Sequence, residues 1–525
     1  MPRISERRKS LNRYDTVIIG AGNGGLACAC LLAKGGQKVL VLEQSHIPGG
    51  FATSFRRGRF EFDVSLHELC TFGRYDKPFG AVRQLFDNLG ISDKIDWIDV
   101  PEAFRLINFA PGHELDVEMP FGIDEFCEKA DFYVPGCKKK MKKLFKLGDE
   151  IRLTTEKIGK TKSKLAQLGV LLKKGGFLHT ASYSVDEVLS KIDMPQKAKD
   201  IFKAYWAYLC TDCETLSFVH YLLMINSYIE LHAVVPKRRS QEMTNCLVDC
   251  LISNKGKLWL NSKAVKINVE NNRCSSVLLE DGTVIEAKNV VCNCSPHIAY
   301  GELIEHDKVP EFEARKANAR KFGGRGFCVF LGLNKSAEEL GLKNYSYFIF
   351  PDMDTKKQFE KMGNPETNEV QNSVCINAAD PSASPDGTSI LCMTTLFTSD
   401  YWSSVKEEDY FKEKERFALH MIDTFEKATG IKIKDSIEEI EIASPETFAR
   451  FTGTPQGTIY GYLAQEWDGT LQRKMSDEHK NGIENLYFAG GYCENLLGFS
   501  SALSSGRNCA NKILSKTSVD GREKE

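Results

Sequence analysis

The stretch Gly20-Ala21-Gly22-Asn23-Gly24-Gly25 stands between two apolar runs, Thr16 to Ile19 and Lys38 to Leu42, and the second run stops at Glu43. Glycines at this spacing suit the chemistry of binding phosphate. Gly20 allows a tight turn after a strand, Gly22 lets backbone approach a pyrophosphate closely, and Gly25 lets the following helix pack on the strand. A helix opening at Asn23 presents unpaired N–H groups and the positive end of its dipole to an anion. Glu43, 23 residues after Gly20, stands where a carboxylate accepts hydrogen bonds from a ribose. A G-x-G-x-x-G by itself is weak; the order strand, glycine turn, helix, strand, acid makes it a dinucleotide-binding βαβ unit.

Two further blocks are placed to complete such a site. From Leu251 the chain reads as short strands: Ala264 to Val269, Ser276 to Leu279, a turn at Asp281-Gly282, then Val284 to Ala287 and Val290 to Cys292. Asp-Gly between alternating runs signals a hairpin, so the section reads as a meander returning to the first sheet. Near the C-terminus, Ile483 to Ala489 reads as a strand, Gly490-Gly491 as a turn, and Leu497-Gly498-Phe499-Ser500-Ser501-Ala502 as a helix start of small residues that admits close backbone approach to a ligand. Between the blocks, residues 130–235 read as amphipathic helices opening on Lys138 to Lys146. Residues 306–435 mix strands such as Phe327 to Leu331 with a helix from about Glu407 to Ala428. The tail after Ser515 reads as flexible.

At 525 residues, 42% of them hydrophobic, the chain supports more than one domain, and a formal net charge of −2 offers nothing global to nucleic acid. The basic leader Met1 to Arg13 is followed by a strand and glycines rather than a signal-peptide core, and no run of about 18 apolar residues appears. The expected location is cytoplasmic, with a peripheral contact at the inner membrane face left open. Seventeen scattered cysteines suit a reducing compartment. Cys210-Thr211-Asp212-Cys213 has no second pair at metal-ligand spacing, so it reads as buried thiols and no metal is assigned.

With the blocks in this order, the chain resembles the phytoene desaturase, carotenoid isomerase and retinol saturase family of FAD-dependent proteins over most of its length. The resemblance rests on the glycine turn, the acid, the pair Gly49-Gly50, the phrase Phe62-Asp63-Val64-Ser65 with Leu66-His67-Glu68, and the terminal glycine block. Ser217 to Tyr221, Asn226 to Ile229, Thr447-Phe448, Thr452, Gly457 and Tyr460-Gly461 look closest to the retinol saturase branch.

It implies an α/β fold: a discontinuous FAD-binding Rossmann-like domain (GR2-type) in parts 1–125, 235–305 and 436–515, a helical substrate or membrane-facing subdomain at 126–234, an α+β substrate domain at 306–435, and a flexible tail at 516–525. It also implies FAD held by Gly20, Gly22, Asn23, Gly24, Gly25, Glu43, Gln44, Gly49, Gly50, Phe51, Ala264, Val265, Gly490, Gly491, Gly498, Phe499 and Ser500. Two departures stand out. Where the family carries a Pro followed by two glycines, this chain has Pro236-Lys237-Arg238-Arg239-Ser240, and where amine oxidases place an Arg after Gly-Gly it has Phe51.

The implied activity is redox or isomerising chemistry at a carbon–carbon bond of a hydrophobic unsaturated substrate such as a retinoid, carotenoid or fatty-acyl chain, with a nicotinamide or other electron donor left open. Saturation needs a hydride and a proton, and His67 is the candidate donor because its ordinary titration range lies near neutrality. The aromatic stretch Ile201 to Val235, with Tyr205, Tyr221 and Tyr228, is the expected tunnel wall. Arg238 and Arg239 are candidate partners for an acidic substrate group. The Lys138 to Lys146 helix is a candidate contact for an anionic membrane. The competing readings are a flavin amine oxidase and, in another class, a prenyl-binding chaperone similar to Rab GDP-dissociation inhibitor.

Overall fold

The computed structural model describes residues 13–522 apart from 75, 76, 79, most of 162–181, 464, 466–481 and 494–497. The leader to residue 12 and Leu497 of the terminal glycine block therefore lie outside the described residues.

Two seven-stranded sheets organise the chain. The first runs Lys257–Trp259, Val39–Leu42, Arg13–Ile19, Val284–Cys292, Arg273–Leu279, Ala264–Glu270, with Leu486–Phe488 also on Val284–Cys292. Val39–Leu42, Arg13–Ile19 and Val284–Cys292 pair in parallel. Strands covered on both faces read as continuous apolar runs, and Val39–Leu42 is buried at all four positions. The Asp281-Gly282 hairpin forms, with Gly282 at φ +82° and its N–H donating to the Leu279 carbonyl.

The helix Asn23–Lys34 covers one face and packs along the long terminal helix Phe499–Arg522. That helix corrects one expectation: the segment from Ser515 to Arg522 is helical rather than a flexible tail.

The second sheet runs Leu115–Met119, Phe104–Asn108, Ser346–Phe350, Gln371–Cys375, Ser389–Phe397, Arg325–Leu333, Ile437–Ala443. Its outer strands at 104–119 and 437–443 come from segments assigned to the dinucleotide domain, so those domain boundaries shift. The physical reason is pairing that skips over two hundred residues: Phe104–Asn108 lies parallel to Ser346–Phe350. Nor do the helices of 126–234 form a separate core. Phe104 stacks on Phe348 at 5.1 Å between ring centroids and meets Tyr205 edge-on at 5.3 Å, so helices and sheet share one apolar interior. Among the described residues no helix is long and apolar enough to cross a membrane.

Candidate functional site

The glycine turn owes its shape to contacts that leave no room for side chains. A Cβ added at Gly25 would lie 2.2 Å from the Gly20 carbonyl oxygen, and one at Gly24 would lie 2.5 Å from Gly490 N. The N- and C-terminal glycine blocks therefore touch backbone to backbone. Between them sits Asn293, just past the strand Val284–Cys292, whose Oδ1 accepts the Gly25 N–H at 2.9 Å. Gly22 precedes the helix without a side-chain cap, and the buried Asn23 Oδ1 has no hydrogen-bond partner among the described residues. The first-turn N–H groups other than that of Gly25, with an open polar atom beside a glycine cradle, are what a bound phosphate group requires. At the end of Val39–Leu42, Glu43 accepts the N–H groups of Ala21 and Ser45, both at 2.8 Å.

These groups open into one cavity of about 1150 Å³. Gly20, Gly22, Asn23, Gly24, Glu43 and Gln44 line it, as do Gly49, Gly50 and Phe51, Ala264 and Val265, Gly490 and Gly491, and Gly498, Phe499 and Ser500. Gly25 stands behind the wall, where its part is helix-to-strand packing. The donor set fits FAD: a phosphate cradle at one end, a ribose-ready acid beside it, and the start of the terminal helix along the side.

The other end of the same cavity is formed by Tyr208, Leu209, Met224, Ser227, Tyr228, Phe330 and Tyr460, with His67, Glu68 and Cys70 on its wall. Of the three tyrosines expected there, only Tyr228 faces it. Tyr205 is fully buried, donating to the Ala103 carbonyl at 3.2 Å, and Tyr221 donates to the Phe202 carbonyl. Both are core residues. In the helix Phe218–Ile229, successive side chains point in different directions, so an aromatic-rich stretch cannot all face one tunnel.

Two other expectations change. His67 lies on the wall, Nε2 2.9 Å from Thr394 Oγ1, but burial pushes its pKa down to about 4. The ring is neutral at neutral pH, which removes the imidazolium donor. Arg238 is exposed and points to no cavity, its N–H donating to Glu242. Arg239 borders a small side cavity of about 20 Å³ beyond His67, yet its guanidinium donates to the carbonyls of Glu61, Lys237 and Ala383. Those bonds, with the Asp63 carboxylate nearby, occupy the group that a substrate acid would have used. Arg239 also has φ +67°, so where the family carries glycines an arginine stands in the left-handed region, at a cost of about 1 to 2 kcal/mol.

Sequence reading missed Asn293 and Glu68. Asn293 carried one faint signal, a polar residue after a strand that returns to the glycine turn. Glu68 stood in the phrase Leu66-His67-Glu68 that carries the family resemblance, but nothing local marked its burial among residues of other segments. Among the described residues, no group of three or more His, Cys, Asp or Glu is placed to hold a metal, and all seventeen cysteines are unbridged.

Comparison with known proteins agrees with this geometry. The model of the family "Flavin containing amine oxidoreductase" matches residues 24–514. An all-trans-retinol 13,14-reductase of Danio rerio is 25% identical over 96% of this chain and 86% of that protein. A chloroplastic prolycopene isomerase of Daucus carota is 26% identical over 95% and 80%. A redesigned putrescine oxidase shares the fold with a TM-score of 0.64, at 15% identity over 96% of this chain and 99% of that one. The cofactor of this protein is FAD, and the chain belongs to the flavin containing amine oxidoreductase family.

Proposed function

We propose that this protein is an FAD-dependent oxidoreductase acting on a carbon–carbon bond of a hydrophobic unsaturated substrate, a retinoid, carotenoid or fatty-acyl chain. The observation that carries the reading is the continuity of the cavity, which joins a phosphate cradle to a wall of Tyr208, Leu209, Met224, Tyr228 and Phe330. FAD, when bound, supplies or accepts the hydride. The chain's own residues hold it through the glycine blocks and Glu43, present an apolar surface to the substrate and keep water from the reacting carbons. Likeness in sequence over nearly the full length to a retinol reductase and a carotenoid isomerase supports this substrate class over amines. The likeness to amine oxidases at 15% identity speaks to the fold alone.

The reading extends to a nicotinamide or other two-electron donor, and to a cytoplasmic protein that visits anionic membranes through the exposed Lys139, Lys143 and Lys146. Its apolar substrates dissolve in membranes. Lys138, Lys140 and Lys142 are already paired with Glu128, Asp193 and Asp124. Loss of co-sedimentation with anionic liposomes on replacing the three free lysines by Gln is the expected result, and no co-sedimentation of the wild type removes the membrane contact.

The activity is tested by reconstituting the protein with FAD, photoreducing it without oxygen and adding all-trans-retinol, a cis-carotene or an unsaturated fatty acid. Flavin reoxidation with a saturated product identifies a reductase, and product without reoxidation an isomerase. A protein that takes up no FAD would overturn the enzyme reading in favour of a lipid-holding chaperone.

A further inference from the structure

The cavity wall beside His67 carries a carboxyl group in an unusual setting. Glu68 reaches the cavity although only 6% of its surface is exposed. Its Oε1 accepts from Tyr208 Oη at 3.5 Å, while the buried Oε2 has no hydrogen-bond partner among the described residues. An ionised carboxylate with a bare buried oxygen is a costly arrangement, whereas a neutral carboxyl removes the buried charge and carries a proton it can give up.

The surroundings keep the group neutral. Burial, and then the Glu102 carboxylate, push Glu68 up to about 8, against the opposing pull of the Tyr208 and Tyr205 hydroxyls. Glu102 is itself pushed up to about 7 by burial, against the pull of the N–H groups of Ser346 and Tyr345, which it accepts at 3.2 and 2.5 Å. The other titratable groups that face Glu68 are His67, Cys70, Tyr228, Tyr345 and Tyr460. His67 is pushed down to about 4, Cys70 up to about 11, and the three tyrosines are pushed up, so all five are uncharged at neutral pH.

Position adds to this. Two residues beyond Glu68, the Cys70 carbonyl accepts Ser500 Oγ at 2.8 Å, tying this segment to the first turn of the terminal helix on the FAD side. Glu68 thus lies on the substrate wall, two residues from a tie to the terminal helix on the FAD side.

We propose that Glu68 delivers the proton to the substrate's carbon–carbon double bond. The inference rests on the function proposed above. In the saturating direction the π bond breaks and two C–H bonds form. Bound reduced FAD would supply a hydride, and with it two electrons, to one carbon; the Glu68 carboxyl gives its proton to the other carbon. The carboxylate left behind takes a proton from solvent, and the two-electron donor of the proposed function would restore the two electrons to the cofactor.

The test uses the FAD-loaded full chain and Glu68→Gln, with Glu68→Asp as the conservative variant. Infrared titration of the wild type should show a protonated-carboxyl C=O band that disappears as pH rises through about 8. The band should be missing in Glu68→Gln, and Glu102→Gln should move its midpoint down. Single-turnover saturation of all-trans-retinol by the photoreduced Glu68→Gln enzyme should fall about 100-fold or more, with FAD content unchanged and partial recovery in Glu68→Asp. Persistence of the band in Glu68→Gln, or turnover equal to wild type, overturns the proposal alone. If the wild type reduces none of the unsaturated probes, the function reading falls and takes this proposal with it.

Discussion

Asn293 and Gly25 are 268 positions apart, and the Asn293 Oδ1 accepts the Gly25 N–H at 2.9 Å, fastening the end of the strand Val284–Cys292 to the first turn of the helix Asn23–Lys34. The same carboxamide sits 2.9 Å from where a Cβ on Gly24 would stand, with Gly490 N at 2.5 Å on the other side. Gly24→Ala must therefore push three chain segments apart. The expected result is a loss of about 1 to 3 kcal/mol in stability together with FAD retention, read by thermal unfolding of the apoprotein and by flavin absorbance. Gly491→Ala is the contrast. A Cβ there meets nothing within 4 Å and enters the cavity, so the apoprotein should unfold as the wild type does while its Kd for FAD rises.

Glu43 joins two backbone donors, Ala21 and Ser45, at the end of its strand. Glu43→Ala removes a charged acceptor for both, and for the cofactor's ribose hydroxyls. Hydrogen bonds to charged groups contribute about 1.5 to 3 kcal/mol, so the Kd for FAD should rise roughly 10- to 100-fold. Fluorescence titration of the apoprotein with FAD measures it; an unchanged Kd would separate Glu43 from the cofactor.

Two neighbouring residues should give stability opposite dependences on pH. His67 has a folded pKa of about 4 against an ordinary 6.5, so its contribution is present above 6.5 and lost as pH falls through 4. Glu68 has a folded pKa of about 8 against 4.5, so the folded state binds the extra proton between those values. Its contribution is complete below 4.5 and lost as pH rises through 8. Each amounts to ~ a few kcal/mol. Denaturant unfolding across this range should show the wild type losing stability relative to Glu68→Gln as pH rises from 4.5 to 8, and gaining relative to His67→Gln from 4 to 6.5.

Tyr221 and Tyr228 lie on the same helix and should behave differently. Tyr221→Phe removes one buried hydrogen bond to the Phe202 carbonyl, and should cost about 1 kcal/mol or somewhat more in stability with no change in kcat/KM. Tyr228→Trp adds bulk at the cavity wall, and should raise KM for long polyenes more than for short ones. Equal kinetic effects from the two would contradict the assigned wall.

The cofactor half of the site was legible because its residues are close in sequence and governed by local rules. A strand, a glycine turn and a helix start have patterns of their own, and an acid a short distance on completes them. The reading failed for Tyr205 and Tyr221, because which face of a helix looks into a cavity depends on what packs on the other faces. His67 does line the cavity, but its titration range is set by burial rather than by residue type. Arg239 shows a third kind of limit: the residue type suggested a partner for an acidic substrate group, whereas in the fold its guanidinium is taken up by three carbonyls.

What the sequence by itself determined was the dinucleotide site, the discontinuous order of its three blocks and the family resemblance that names FAD. Only the tertiary structure decided that the second sheet borrows strands across the domain boundaries, that Asn293 closes the glycine turn, and that burial pushes Glu68 up and His67 down. The physical reason is range. Glycine turns and helix starts are set by residues within one or two turns of each other, whereas burial, like-charge neighbours and an unpartnered oxygen come from segments dozens to hundreds of residues apart that meet only in the folded chain.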